Sequence, residues 1–302
     1  MGELLRPFRG GEALAEGLLT RRELRCHYVA MYPGVYLHRG IAITAKNRAE
    51  CAWLWSRRRG VLAGLSAAAA HGSKWIDAGL PAELLHRNHR SPPLLGVHSD
   101  DLHRGEVMLF GGIRATSVAR TAFDLARWHP VDQAIARIDA LLDANPQIQK
   151  ADILAVAAAH PGRRGTRGVA GVIDLADAGA QSPRETATRL LIVRAGFPRP
   201  TTQHQVFEAG YGLVARLDMA YPDYRVAIEY DGDQHWLDRR QRAHDIDRYE
   251  RLERLGWTVV RVGAELLAER PHEVVRRLER KLLARGCPKT WPAAVDTAKM
   301  YA

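Results

Sequence analysis

The residues best suited to chemistry gather in one stretch, RLDMAYPDYRVAIEYDGDQHW at 216–236, which carries Asp218, Glu229 and Asp231. Carboxylates held close on a rigid sheet repel one another, and a hard divalent cation such as Mg2+ or Mn2+ is their usual counter-charge. Such an ion lowers the pKa of a bound water. Asp218, Glu229 and Asp231 are therefore the candidate metal ligands, and Glu185 is a candidate to complete or orient the set. His235 has a reference pKa near neutrality and suits a general acid, a general base or a water positioner. Arg239, Arg240 and Arg248, the last in DIDR, follow on the next predicted helix.

The elements that must position these groups are legible in outline. Two β-like runs meet across a Pro-Asp turn, and alternation in the second sets Val226, Ile228 and Tyr230 to one side and Ala227, Glu229 and Asp231 to the other. Upstream, Ser182 as N-cap, Pro183 at the first helical position and Glu185 at the third make a capping box, a structural occupation sufficient for Glu185 without catalysis. Strands are predicted over 203–208, 213–220 and 225–231, then a polar helix over 238–255 stopped by Gly256. On that helix Asp245 and Arg248 lie three apart, so a surface ion pair is the alternative use of Arg248. A buried-type strand, WTVVRV at 257–262, and an amphipathic helix over 271–285 close the chain, giving the order α-β-β-β-α-β from Pro183.

The amino-terminal half reads differently. GEALAEGLLTRRELR at 11–25 suggests two short helices, the second capped by Thr20, and YVAMYPGVYLHRG at 28–40 suggests a hairpin or wing around Pro33-Gly34. Thr44 caps a helix predicted to run to about residue 58, whose arginines Arg57, Arg58 and Arg59 either oppose the helix dipole or touch DNA. VLAGLSAAAAHG at 61–72 reads as an Ala-rich segment capped by Ser66 and stopped by Gly72, with His71 structural. The runs between 81 and 116 suggest a small mixed or antiparallel sheet. His86, His89, His98 and His103 lie there at spacings that match no zinc pattern. Helices follow from Ser117, over 131–142 and over 150–159, and HPGRRGTRG at 160–168 reads as a linker, either merely solvated or in touch with phosphate. A short helix over 171–178 precedes the capping box.

At 302 residues two or three compact units are expected, and 46% hydrophobic content suffices for their cores. The formal charge of +10 comes mostly from arginine, whose planar fork suits phosphate, so nucleic acid is the first partner to consider. Cys26, Cys51 and Cys287 lie far apart and odd in number, against a disulfide framework or a zinc site. Neither a signal-peptide core nor an apolar run of membrane-spanning length is present, so a cytoplasmic, membrane-free protein is expected.

With these residues in view, the 181–285 region resembles the PD-(D/E)XK nuclease superfamily, through Glu185, Asp218, Glu229 and Asp231 in their element order. Within it, EYDGDQHW and DIDRYERLERLGWTVVRV are similar to the very-short-patch repair endonuclease group. Residues 8–160, through LTRRELR, the YPGVY hairpin, the segment ending His71-Gly72 and ATSVARTAFDLAR, resemble winged-helix AbiEi-type antitoxin proteins. The expected fold is mixed α/β: a winged-helix-like domain at 1–60, a small α+β antitoxin-like domain at 61–160, a linker at 161–180, a restriction-endonuclease-like domain at 181–290 and a tail at 291–302. One departure stands out: the superfamily places lysine two residues after the strand glutamate, where this chain has Asp231. Arg248, Arg239, Arg240 or His235 would then have to replace the cation, and the place of His235 resembles that of a catalytic histidine in the repair-endonuclease relatives. The resemblance implies a Mg2+- or Mn2+-dependent endonuclease acting on DNA in repair or defence. The alternatives are a non-enzymatic DNA-binding regulator of antitoxin type and an RNA-processing nuclease, with a homodimer left open.

Overall fold

The computed structural model describes residues 4–87, 90–210, 212–232 and 239–292, with the backbone alone over 239–245. His89 and His235, and the side chains of Arg239, Arg240 and Asp245, lie outside the described residues. The chain divides into two compact units, Met1–Ala176 and Asp177–Ala302. Among the described residues no helix is long and apolar enough to cross a membrane.

The first unit opens with β1 (Phe8–Arg9), α1 (Gly10–Ala15), α2 (Arg21–His27), β2 (Tyr28–Tyr32), β3 (Val35–His38) and α3 (Ala45–Trp55). Its first three strands form a sheet in the order β1-β3-β2. Thr20 and Thr44 cap α2 and α3 as expected, each in a reciprocal box, with Glu23 and Asn47 respectively. The predicted run of α3 to residue 58 is too long. Arg57 and Arg58 adopt φ of 56° and 63°, which ends the helix, and Arg58 grips Glu12 through two hydrogen bonds of 2.8 and 2.6 Å. Its charge serves that pair and not the helix dipole.

Then come β4 (Val61–Leu62), α4 (Gly64–Ala70), β5 (Ala82–Leu85), β6 (Leu95–His98), β7 (Val107–Phe110) and β8 (Ile113–Thr116), followed by α5 (Val118–Trp128), α6 (Val131–Asp143), α7 (Lys150–Ala159) and α8 (Thr166–Leu175). The strands make a mixed sheet in the order β6-β5-β4-β8-β7. Leu62, Leu84 and Ala115 face the buried side of α3, while Val61 and Leu85 face Leu102, Val107 and Trp128. Ser66 is not the cap of α4. It lies inside the helix, its Oγ accepts the Glu83 N–H at 2.8 Å, and the buried Glu83 carboxylate takes the Leu65 N–H at 2.6 Å instead. Gly64, at φ 46°, is required there because a Cβ would collide with that carboxylate.

Part of the stretch read as linker, 161–180, is α8. Val169, Val172 and Ile173 form its buried side, an apolar spacing of three and four that the surrounding glycines and arginines obscure.

The second unit comprises α9 (Pro183–Arg194), β9 (Thr201–Glu208), β10 (Gly212–Tyr221), β11 (Val226–Asp231), α10 (Arg239–Arg254), β12 (Thr258–Gly263), α11 (Ala264–Glu269) and α12 (Pro271–Ala284). The order α-β-β-β-α-β is as read from the sequence, with α11 added. The sheet runs β12-β11-β10-β9. The first three strands in sequence pair antiparallel, and β12 returns parallel to β11, a geometry that needs a crossover and receives it from α10. Gly256, at φ 81°, ends that helix. On one face Val226, Ile228, Val260 and Val262 pack with Ile192 of α9 and Leu278 of α12. On the other, Ala227 and Leu217 pack with Leu252 of α10 and Trp257. Each fully buried branched side chain of this kind stabilises the fold by roughly 1.5–3 kcal/mol.

Candidate functional site

The site begins where two strands part. The β10–β11 ladder runs through Tyr221↔Val226, Ala220↔Ala227 and Met219↔Ile228, and stops. Continuing that register would set Asp218 against Glu229. The main-chain N–H of Tyr230 finds no ladder carbonyl in that register and donates instead to Asp218 Oδ2 at 2.8 Å. Alternation behaves as the sequence required: Ile228 and Tyr230 pack into the α9–α12 core, and Ala227 belongs to the α10 side.

Glu229 is 5% exposed. Its Oε2 accepts Arg248 Nη2 and the Tyr249 hydroxyl, each at 2.6 Å. Charge-assisted bonds of this length offset the cost of burying a carboxylate. The guanidinium of Arg248 also lies 4.9 Å from the Tyr249 ring centroid, and its Nε is buried with no partner among the described residues. So the arginine singled out in DIDR does reach a strand acid, from the adjacent turn of α10.

Glu185 keeps half of its expected cap. Ser182 Oγ accepts the Glu185 N–H at 3.2 Å, but the Glu185 carboxylate reaches past Ser182 to the Gln181 N–H at 2.9 Å. The same Oε2 takes Gln203 Nε2 at 3.2 Å. Gln203 sits at φ 50°, strained for a non-glycine residue in a strand, and lies opposite Asp218 between the pairs Leu217↔His204 and Met219↔Thr202.

These acids share one electrostatic site. Burial, then the charge of Glu185 and, more weakly, that of Glu229, push the Asp218 carboxyl up to about 7 against the pull of the Tyr230 N–H and Arg248. A pocket of carboxylates with too little positive charge is the condition that a hard divalent cation relieves, and its donors are all oxygens. The donor chemistry is that of a hard cation such as Mg2+ or Mn2+, although the ligand atoms of these acids do not form a group of three within 4.8 Å of one another among the described residues. Asp231 is engaged elsewhere: it pairs with Arg261, which stands opposite Glu229 in the parallel β11–β12 register and 5.2 Å from the Tyr249 ring.

Gln203, Tyr249 and Arg261 escaped the sequence reading. Only Arg261 left a trace, inside the strand run WTVVRV; the other two acquire meaning from register and helix phase alone.

A second cluster, in the first unit, is the one group among the described residues whose three ligand atoms, from His103, Glu106 and His160, lie within 4.8 Å of one another. The two imidazoles stack at 4.2 Å. Here a cation is already built in. Arg120, 0% exposed, donates from Nη1 to Glu106 Oε2 at 2.6 Å and lies 3.2 Å from His160 Nε2, while Glu106 Oε1 meets that His160 nitrogen at 2.7 Å. Arg120 thus already supplies a cation to Glu106 and His160 and ties these two into a buried ionic network of the fold.

A family described as REase_MTES_1575, which is restriction endonuclease-like, matches residues 191–282. The carboxy-terminal region is restriction endonuclease-like. The matched residues take in Asp218, Glu229, Asp231 and Arg248 of the restriction endonuclease-like unit and leave Glu185 just before their start. Two uncharacterized proteins of Mycobacterium tuberculosis, from strains CDC 1551 / Oshkosh and ATCC 25618 / H37Rv, are each 29% identical over 193 residues, which is 64% of this chain and 70% of theirs. No solved structure matches at a significant level.

Proposed function

We propose that the protein is a metal-dependent DNA endonuclease whose amino-terminal unit directs the restriction endonuclease-like unit to DNA. The observation that carries this reading is the placement of Asp218 and Glu229 at the open end of the β10–β11 ladder, each carboxylate held by a donor, within the residues of the restriction endonuclease-like match. Asp218 and Glu229 would hold Mg2+ or Mn2+, with Glu185 orienting the set through Gln203. When bound, the ion supplies an acidified water and a counter-charge for the phosphate oxygens. Asp218 is fixed by the Tyr230 N–H and Glu229 by Arg248 and Tyr249, so both carboxylates are preorganised. Arg248 remains cationic at all working pH and is therefore a charge holder for phosphate, not a proton acceptor. Asp231, held by Arg261, would brace the strand end beside the ligands. His235 remains a proposed proton carrier on sequence grounds alone.

Support for the targeting role comes from the formal charge of +10 and from the order α1, α2, hairpin β2–β3, which is the helix-helix-wing order of winged-helix DNA binders. Repair or defence against foreign DNA is the setting such an activity would serve.

A second reading, a DNA-binding regulator of antitoxin type with no cutting, draws on Asp231 at the family's lysine position and on Glu229 Oε2 being already taken by Arg248 and Tyr249. The two separate in one assay. The purified full chain is incubated with plasmid, mismatched, branched and RNA substrates, with Mg2+, Mn2+ or a chelator. Metal-dependent cutting of DNA supports the enzyme. Salt-sensitive binding with no cutting on any substrate supports the regulator.

A further inference from the structure

The first unit contains a cavity of about 680 Å3 on the sheet face that carries Val61 and Leu85. Those two residues and Leu102 give it an apolar floor, and Arg59, Arg87 and Arg114 stand around it. The three arginines come from three places in the chain: before β4, after β5 and from β8 itself.

The arginines are notable for what they do not touch. Most neighbouring arginines are committed: Arg58 to Glu12, Arg120 to Glu106 and Asp124, Arg127 to Asp100 and Asp124, and Arg163 to Asp101. Arg59, Arg87 and Arg114 make no side-chain hydrogen bond or ion pair among the described residues. The cavity wall does include two carboxylates, each already paired with an arginine other than these three. Asp100 is held by Arg127, with Arg120 at 3.5 Å, and Asp101 is held by Arg163.

Three uncompensated guanidinium groups around one concavity repel one another, and low-dielectric walls focus their field on an entering anion. The guanidinium fork matches phosphate oxygens two at a time. The apolar floor suits the flat or aliphatic part of the same ligand, and the volume falls within the roughly 300–1,000 Å3 of small-ligand sites. We propose that this cavity is a phosphate-binding site that seats one nucleotide unit, either free or as part of a nucleic-acid strand. It is independent of the carboxylates of the restriction endonuclease-like unit and would operate with or without cleavage there.

The test uses the full chain in a chelator, so that no cutting intervenes, at low salt. Inorganic phosphate and a nucleoside triphosphate are titrated by calorimetry, and a labelled single-stranded 12-mer and a labelled duplex are titrated by fluorescence anisotropy. Arg87→Glu/Arg114→Glu is expected to weaken at least one probe by about tenfold or more, and Arg87→Gln/Arg114→Gln by about three- to tenfold. Arg280→Glu, an exposed site on α12 outside the cavity, should change each by less than about twofold. The glutamine pair carries the test if the charge-reversed pair fails to fold, as judged by circular dichroism. Loss confined to the triphosphate assigns the site to a free nucleotide. Loss for the oligonucleotides, with a salt slope reduced by about one per removed contact, assigns it to a strand. Unchanged affinity for all four probes in the glutamine pair, or no binding of any probe by the wild type, overturns the proposal.

Discussion

Asp218 Oδ2 and the main-chain N–H of Tyr230 form a 2.8 Å hydrogen bond at the point where β10 and β11 cease to pair. A side-chain carboxylate thereby takes a bond that a ladder carbonyl would otherwise accept, and this anchors the acid in a half-buried position beside Glu185 and Glu229. The same burial that fixes Asp218 also disfavours its charge.

A stability signature follows from that conflict. With its pKa raised from 3.8 to about 7, folded Asp218 keeps a proton that the unfolded chain loses. Stability from this group is whole below about pH 4 and is lost as pH rises to about 7, by at most about 4 kcal/mol. Asp218→Asn retains an acceptor for the Tyr230 N–H without the charge. In chelator it should be more stable than wild type to urea at pH 8 by about 2–4 kcal/mol, and equal to it at pH 4. Equal stabilities at both pH values would contradict the buried, charge-crowded site.

Divalent ions should offset part of that loss. At pH 8 and ten times Kd, Mn2+ should stabilise the wild type by about 1.4 kcal/mol, a rise of a few degrees in Tm. Asp218→Asn should lose most of that rise. Thermal melts with and without Mn2+ check it; equal shifts in both proteins would place the ion elsewhere.

Arg248 has a role that a lysine could share in charge but not in shape. Arg248→Ala leaves Glu229, 5% exposed, with Tyr249 as its remaining side-chain partner among the described residues. Cleavage should fall by about 100-fold or more, the scale of losing one preorganised electrostatic contact. Arg248→Lys should recover at least about a tenth of the wild-type rate. Equal loss in both variants would mean that the fork geometry, not the charge, is required.

In the first unit, Arg120→Met removes a guanidinium that is 0% exposed and leaves Asp124, also 0% exposed, and Glu106 short of their partner. Breaking a buried pair from one side costs about 3–5 kcal/mol. Urea unfolding followed by tryptophan fluorescence should show that loss. A loss below about 1 kcal/mol would mean the network is not a structural core, and would reopen the His103, Glu106, His160 cluster as a metal site.

What the sequence disclosed was local. Period-two alternation set Glu229 on one face of β11 and Tyr230 on the other, and Thr20, Thr44 and Ser182 marked helix starts because their side chains accept N–H groups three residues on. What it withheld depended on register between distant segments. Gln203 meets Glu185 only because β9 bends at φ 50° opposite Asp218. Asp231 meets Arg261 only because β12 runs parallel to β11 with Glu229 level with Arg261. Ser66 looked like a cap by its residue type, whereas the capping oxygen comes from Glu83, on a strand beyond the helix. The linker reading weighed glycine and arginine content over Val169, so that α8 was legible only as a short helix over 171–178, five residues late at its start and three long at its end.

The claim that Glu185, Asp218 and Glu229 form a phosphodiester-cleaving metal site is tested most directly by plasmid nicking under single-turnover conditions with saturating Mn2+. The wild-type full chain should nick, chelator should abolish nicking, and Asp218→Ala and Glu229→Ala should each lower the rate by about 100-fold or more while still binding the plasmid. Nicking that persists in either variant, or a wild type that binds but never nicks, would contradict the account.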